Sequence, residues 1–152
     1  VIPVGISSRV VGDRLALIAE CLDGIRTLPL ADKAVFMADR RNIWAAESCL
    51  RRILEALLDI GRHILAKGFG QGVTEYKEIA AGLRDRQVLN AQVAALLIQL
   101  AGYRNRMVHY YHEITPDELY AICTSQLSDL ELVADSYRQW VNTHPERVDT
   151  QL

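Results

Sequence analysis

Residues 102–118 read GYRNRMVHYYHEITPDE, concentrating arginine, histidine and tyrosine at what the flanking sequence predicts is the end of a long apolar helix. Those residue types suit cleavage of an RNA phosphodiester, in which the neighbouring 2′-hydroxyl attacks phosphorus and the 5′-oxygen leaves. A neutral imidazole at His109 can accept the hydroxyl proton, and an imidazolium can donate one to the leaving oxygen. Histidine's unperturbed pKa of about 6.5 serves both roles near neutral pH. Arg104 offers a rigid fork of donors to the non-bridging oxygens, whose charge grows in the transition state. Asn105, one turn before His109, is placed to hold the imidazole or a phosphate oxygen. This chemistry calls for neither a metal ion nor a cofactor.

An ideal helix turns about 100° per residue, so Arg104 and Tyr111 nearly eclipse one another and Asn105 shares a face with His109. Arg104 and His109 point about 140° apart on the same helix, which a single copy bridges poorly. A second copy across a two-fold axis would ease this and would place two arginines and two histidines in one groove.

The elements that must position these groups are helical. Apolar residues recur at three- and four-residue spacing, and no alternating run is long enough to argue for a sheet. Val11, Leu15, Ile18, Leu22 and Ile25 mark a first helix that Pro29 helps to close. A second, the longest, starts near Asp39 after a short helical lead-in. It carries Ile43, Leu50, Ile53, Leu54, Leu57, Ile60 and Ile64 to the glycines of KGFGQG. Thr74 is expected to cap a short helix over about 74–83. An apolar helix follows over about 88–111, and its face at 93–100 leaves room for a seam between copies. Thr115-Pro116-Asp117-Glu118 is a strong start signal, with a capping hydroxyl, proline at the first helical position, acids at the positive end of the dipole and a glutamate spaced for a capping box. It predicts one final helix over about 116–143. The expected fold is all-α, an up-and-down bundle of four main helices plus one short one.

At 152 residues, half of them hydrophobic and 24% charged, the chain has the balance of one soluble globular domain over 1–152, with loose ends at about 1–8 and 144–152. A formal net charge of −2 marks no global nucleic-acid binder, so a basic site must be local. Cys21, Cys49 and Cys123 are odd in number and lack ligand spacing, which argues against a disulfide framework or a zinc site and for a reducing cytoplasm. The first residues lack the pattern of a signal peptide, and Asn90, Gln92 and Gln99 interrupt the longest apolar run too often for a membrane span. Arg40, Arg41, Arg51, Arg52, Arg62 and Lys67 on the second helix are read as a solvated face. His63, His112, Trp44 and Trp140 are read as structural. Glu55 and Asp59 are candidate ion-pair partners for Arg104.

The motif stretch resembles the RxxxxHxY signature of the HepT-like toxins, a family of the HEPN superfamily of small helical ribonucleases. Arg104 matches the arginine, Asn105 the polar residue that commonly follows it, His109 the histidine and Tyr111 the tyrosine. ILEALLDIGRHILAKG at 53–68, VTEYKEIAAGL at 73–83 and LAGYRNRMVHYYHEITPDELY at 100–120 are similar to the family's successive helices, and the likeness covers about residues 9–140. The resemblance implies a homodimeric HEPN-like bundle whose paired motifs face one cleft, with metal-independent endoribonuclease activity on RNA that acts as a toxin. It also implies an antitoxin partner, an MntA-like minimal nucleotidyltransferase that silences the toxin by transferring AMP from ATP to Tyr111. A bulky anionic adenylate there would fill the groove and repel an RNA phosphate. Two other readings remain open on the residues alone: a HEPN-type module that binds a nucleotide or partner without cleaving, and a dimerising bundle whose arginine and histidine satisfy helix-end carbonyls.

Overall fold

The structure, a computed structural model, describes residues 5–109 and 114–151. Its elements are β1 (Ile6–Ser7), α1 (Ser8–Arg26), α2 (Lys33–Ala38), α3 (Arg40–His63), a π-helical turn (Ile64–Gly68), α4 (Tyr76–Asp85), α5 (Ala91–Val108), α6 (Pro116–Ser125), α7 (Leu127–Thr143), a 3₁₀ turn (Pro145–Arg147) and β2 (Val148–Asp149). The architecture is a helical bundle, as the apolar spacing predicts. Helix α3 is its hub, packing against α1, α2, α4, α5, α6 and α7.

The reason lies in the stripe of α3. Ala46, Leu50, Ile53, Leu54, Leu57 and Ile60 recur on one side and are all buried. Burying each large aliphatic side chain stabilises the fold by about 1.5–3 kcal/mol relative to exposure. Asp39 starts the helix by accepting from the Arg41 N–H at 2.9 Å. The far end closes where the Gly70 and Gln71 N–H groups return to the carbonyls of Ala66 and Leu65, with Gly70 at φ +64°, a region that favours glycine. Gly61 is the point of closest approach. A Cβ there would lie 2.8 Å from the Tyr137 hydroxyl oxygen and 2.9 Å from Leu83 Cδ1, so α3, α4 and α7 meet only because the side chain is absent.

Several expected boundaries move. Helix α4 starts after Glu75, and Thr74 provides no cap. Asn90 opens α5: its Oδ1 accepts from the Val93 N–H at 2.8 Å, so the polar residue taken as an interruption is the N-cap. The expected final helix is two, broken at Gln126. Thr124 and Ser125 donate their hydroxyls back to the carbonyls of Tyr120 and Ala121, a local competition that bends or ends helices. Thr115 caps α6 by accepting from the Glu118 N–H, as expected, but the Glu118 carboxylate bonds elsewhere, as described below.

Residues 5–8 and 144–149, expected in loose ends, are held. Ile6 and Ser7 pair in parallel with Val148 and Asp149. The Ser7 N–H donates to His63 Nε2 at 2.9 Å, while Ser7 Oγ caps α1. Arg147 donates to the Gly68 carbonyl at 2.6 Å and lies over the Phe69 ring. His63 is therefore structural, as its setting among Ile60 and Ile64 predicts. Trp140 is buried and stacked on His144, again as expected. Trp44 departs from expectation, being 62% exposed. It lies two residues, about 160° of rotation, from buried Ala46. The thiols of Cys21 and Cys123 are pushed up to about 11 and about 12, chiefly by burial. No helix among the described residues is long and apolar enough to cross a membrane.

Two outcomes follow from this packing. Gly61→Ala should lower unfolding free energy by about 1–3 kcal/mol through overpacking, measured by urea denaturation. Burial, and then the charge of Lys67, hold the His63 pKa below its ordinary 6.5. The unfolded chain therefore binds its proton first, and stability falls as pH drops below about 6.5. Protonation also removes the Nε2 acceptor that Ser7 uses. His63→Gln should be less stable than wild type at pH 7.5, and the gap should narrow by pH 5.5 in paired urea midpoints.

Candidate active site

Helix α5 carries the motif on its last turn and ends earlier than its sequence predicts. His109 is its C-cap, at φ −94° and ψ 119°, with its N–H donating to the Asn105 carbonyl at 3.1 Å. The imidazole is therefore carried on extended backbone, and the helical angle of about 140° between Arg104 and His109 no longer applies. The residue is exposed. Asn105 still governs His109, through its main chain.

Arg104 is half-buried and held from two sides. Its Nε donates to Glu55 Oε1 of α3 at 2.7 Å, and its Nη1 donates to Asn105 Oδ1 at 3.1 Å. Glu55 is thus the partner anticipated from sequence. Asp59 is not: it pairs with Arg62 at 2.9 Å and with Arg14 at 3.5 Å. The Asn105 amide oxygen accepts from the guanidinium and orients it. Tyr111, the expected modification site, lies outside the described residues, as do Tyr110 and His112.

One feature went unnoticed in the sequence. Arg106 makes a two-pronged pair with Glu118, Nη2 to Oε1 at 2.6 Å and Nη1 to Oε2 at 2.7 Å. The carboxylate raises the Arg106 pKa by hydrogen bonding. This pair ties the end of α5 to the first turn of α6, fixing both ends of the segment that follows His109. The partners are twelve positions apart and sit on different helices, so no helical spacing signals the pair.

Two of the concavities near the motif run along α3. One, of about 520 Å³, is lined by Trp44, Glu47, Ser48, Arg51, Met107 and Val108. The other, of about 270 Å³, runs past Arg14, Arg51 and Arg52 to Glu55 and Asp59. Arg51 belongs to both.

A helical bundle with an arginine–histidine pair at the end of a core helix defines the class of small helical nucleases to which the motif points. The family described as Ribonuclease HepT-like matches residues 18–136, and the chain belongs to that family. The tRNA nuclease HepT of Aphanizomenon flos-aquae is 26% identical over 141 residues, which span 92% of this chain and 95% of that protein. Among solved structures, the tri-AMPylated HEPN toxin of Shewanella oneidensis in complex with an MNT antitoxin aligns with a TM-score of 0.76 at 22% identity, over 86% of this chain and 97% of its own. YutE of Bacillus subtilis, described as a cytosolic protein of unknown function, aligns at 0.78 and 19%, over 95% and 98%. At those identities the two structures speak for the fold alone.

The Arg106–Glu118 pair is partly exposed, so solvent screening limits its worth. Arg106→Ala and Glu118→Ala should each destabilise by about 1 kcal/mol. The double variant should cost little more than either, because each single change already removes the pair. Urea unfolding of the four proteins measures the coupling.

Proposed function

We propose that this chain is a metal-independent endoribonuclease acting as the toxin of a toxin–antitoxin pair, working as a homodimer in the cytoplasm on an RNA substrate. The observation that carries the proposal is the preset guanidinium of Arg104, oriented by Glu55 and Asn105 one turn from His109. Membership of the ribonuclease HepT-like family supports it. So does the name of one relative, a tRNA nuclease, while a neighbour in fold is described as a toxin in complex with its antitoxin.

In the reaction, His109 of one copy accepts the 2′-hydroxyl proton as that oxygen bonds to phosphorus. The imidazolium of the second copy gives a proton to the departing 5′-oxygen, and the products are a 2′,3′-cyclic phosphate and a free 5′-hydroxyl. Arg104 stabilises the charge gathering on the non-bridging oxygens. Its orientation by Glu55 and Asn105 means that little reorganisation is needed when that charge appears. Having the imidazole on extended chain rather than on the helix relieves the angular conflict that the sequence posed.

Silencing follows the same chemistry. An MntA-like nucleotidyltransferase antitoxin transfers AMP from ATP to the Tyr111 hydroxyl, releasing pyrophosphate. The adenylate, anionic and bulky, competes for the cations that RNA requires. A non-catalytic nucleotide- or partner-binding module is the rival reading, and the Glu55–Arg104 pair favours it to the extent that an arginine already neutralised has less need of a phosphate.

His109→Ala decides between them. The nuclease reading expects wild type to cut RNA in the presence of a chelator, leaving cyclic phosphate ends. The variant should fall by about a hundredfold or more, with its thermal midpoint retained. Intact RNA with wild-type protein, or undiminished cutting by the variant, would overturn it.

A further inference from the structure

We infer that the outward face of α3 is a track for single-stranded RNA, in which Trp44 stacks an unpaired base at the end away from the phosphate that Arg104 receives and Arg51, between them, contacts the strand's backbone. The inference rests on the ribonuclease reading and deepens it by naming the form of RNA the site takes.

Trp44, Ser48, Arg51 and Glu55 follow one another at intervals of four, three and four, so all four lie on one side of α3. They rise over about 16 Å, opposite the buried stripe. The side ends at Glu55, which holds Arg104. Trp44 stands at its other end with 62% of its surface exposed, an unusual setting for the largest apolar side chain. The groove beside it has Met107 and Val108 as its opposite wall, the residues directly before His109. Val108 is itself 44% exposed. At about 520 Å³ the groove falls within the range of small-ligand sites, roughly 300–1,000 Å³.

Charge distinguishes this face from an ordinary solvated one. Glu55 is taken by Arg104, and Asp59 by Arg14 and Arg62. Among the described residues Arg51 and Arg52 enter no ion pair; Arg51 lines both concavities and Arg52 the smaller one, while Glu47, likewise without an ion pair there, lines the larger beside Arg51. An exposed aromatic ring with adjacent cations is the general device for holding single strands: bases stack on the ring while cations follow the phosphates. A duplex keeps its base faces inside its own stack and offers nothing to Trp44. The local cations also reconcile RNA binding with a net charge of −2 for the whole chain.

The test compares wild type, Trp44→Ala, Trp44→Phe and Arg51→Ala on a single-stranded oligonucleotide and on the same sequence in duplex. Cleavage kinetics are measured alongside sedimentation of each protein. Trp44→Ala should raise KM for the single strand about tenfold or more while kcat changes far less, and Trp44→Phe should recover most of the loss. Arg51→Ala should weaken binding and flatten its salt dependence. In catalytically silent His109→Ala protein, the single strand should quench the exposed tryptophan, and Trp44→Phe should abolish that quenching. Unchanged KM in Trp44→Ala, with wild type still cutting RNA, would overturn the track and leave the nuclease standing. Dissociation of the Trp44→Ala protein into monomers, with KM lost in proportion, would also overturn it and assign the face to a seam between copies. Quenching by RNA that wild type never cuts would uphold the track and sink the nuclease.

Discussion

Helix α3 has to satisfy two sides at once, and the rest of the molecule is arranged around that constraint. Its inner stripe, from Ala46 to Ile60, is buried against helices on both ends of the chain. Such burial fixes the rotation of the helix about its own axis, because a turn of one residue would drive Arg51 or Glu55 into the core. Once the rotation is set, Glu55 must face α5, and the guanidinium that it holds must stand at the end of the motif helix. Hydrophobic packing thus determines where the Arg104 guanidinium points.

The ion pair itself contributes little to stability. Both partners of Arg104–Glu55 remain about a third exposed, and pairs of that kind are worth about 1 kcal/mol or less. Its value is geometric: Glu55 and Asn105 occupy two edges of a planar fork and so orient the donors that remain. Arg106–Glu118 plays the corresponding part on the other side of the last turn. The C-terminal end of α5, where backbone carbonyls create negative potential, holds two arginines, each with its own carboxylate. Two cations so close together would repel each other if neither were paired.

Much of this was legible in the sequence, and the residues show why. The stripes of α1 and α3, the glycine exit after α3 and the Thr115 cap all follow from local periodicity and chemistry, whereas Glu55 is only one of two acids that the sequence offers to Arg104. Elsewhere, tertiary contacts override local cues. Asn90 reads as a polar interruption until its side chain is seen capping α5. Glu118 reads as half of a capping box until Arg106 claims its carboxylate. The break at Gln126 arises from hydroxyls that an apolar pattern does not register. Trp44 is the instructive miss: its size invites a place in the core, yet its angular distance from Ala46 already puts it on the outside.

The end of α5 at Val108 bears most directly on chemistry. A histidine within the helix would be fixed relative to Arg104 by helical geometry, with the two side chains on opposed sides. One residue beyond the helix, with its N–H bonded to the Asn105 carbonyl and its backbone extended, His109 has a defined origin and a direction that helical geometry does not dictate. General acid–base work in the proposed reaction asks for that combination, since one imidazole must meet a 2′-hydroxyl and its counterpart a 5′-oxygen on either side of the same phosphorus. Two copies of one helix end, each with a held arginine and a histidine just beyond the helix, would satisfy both demands with identical sequences.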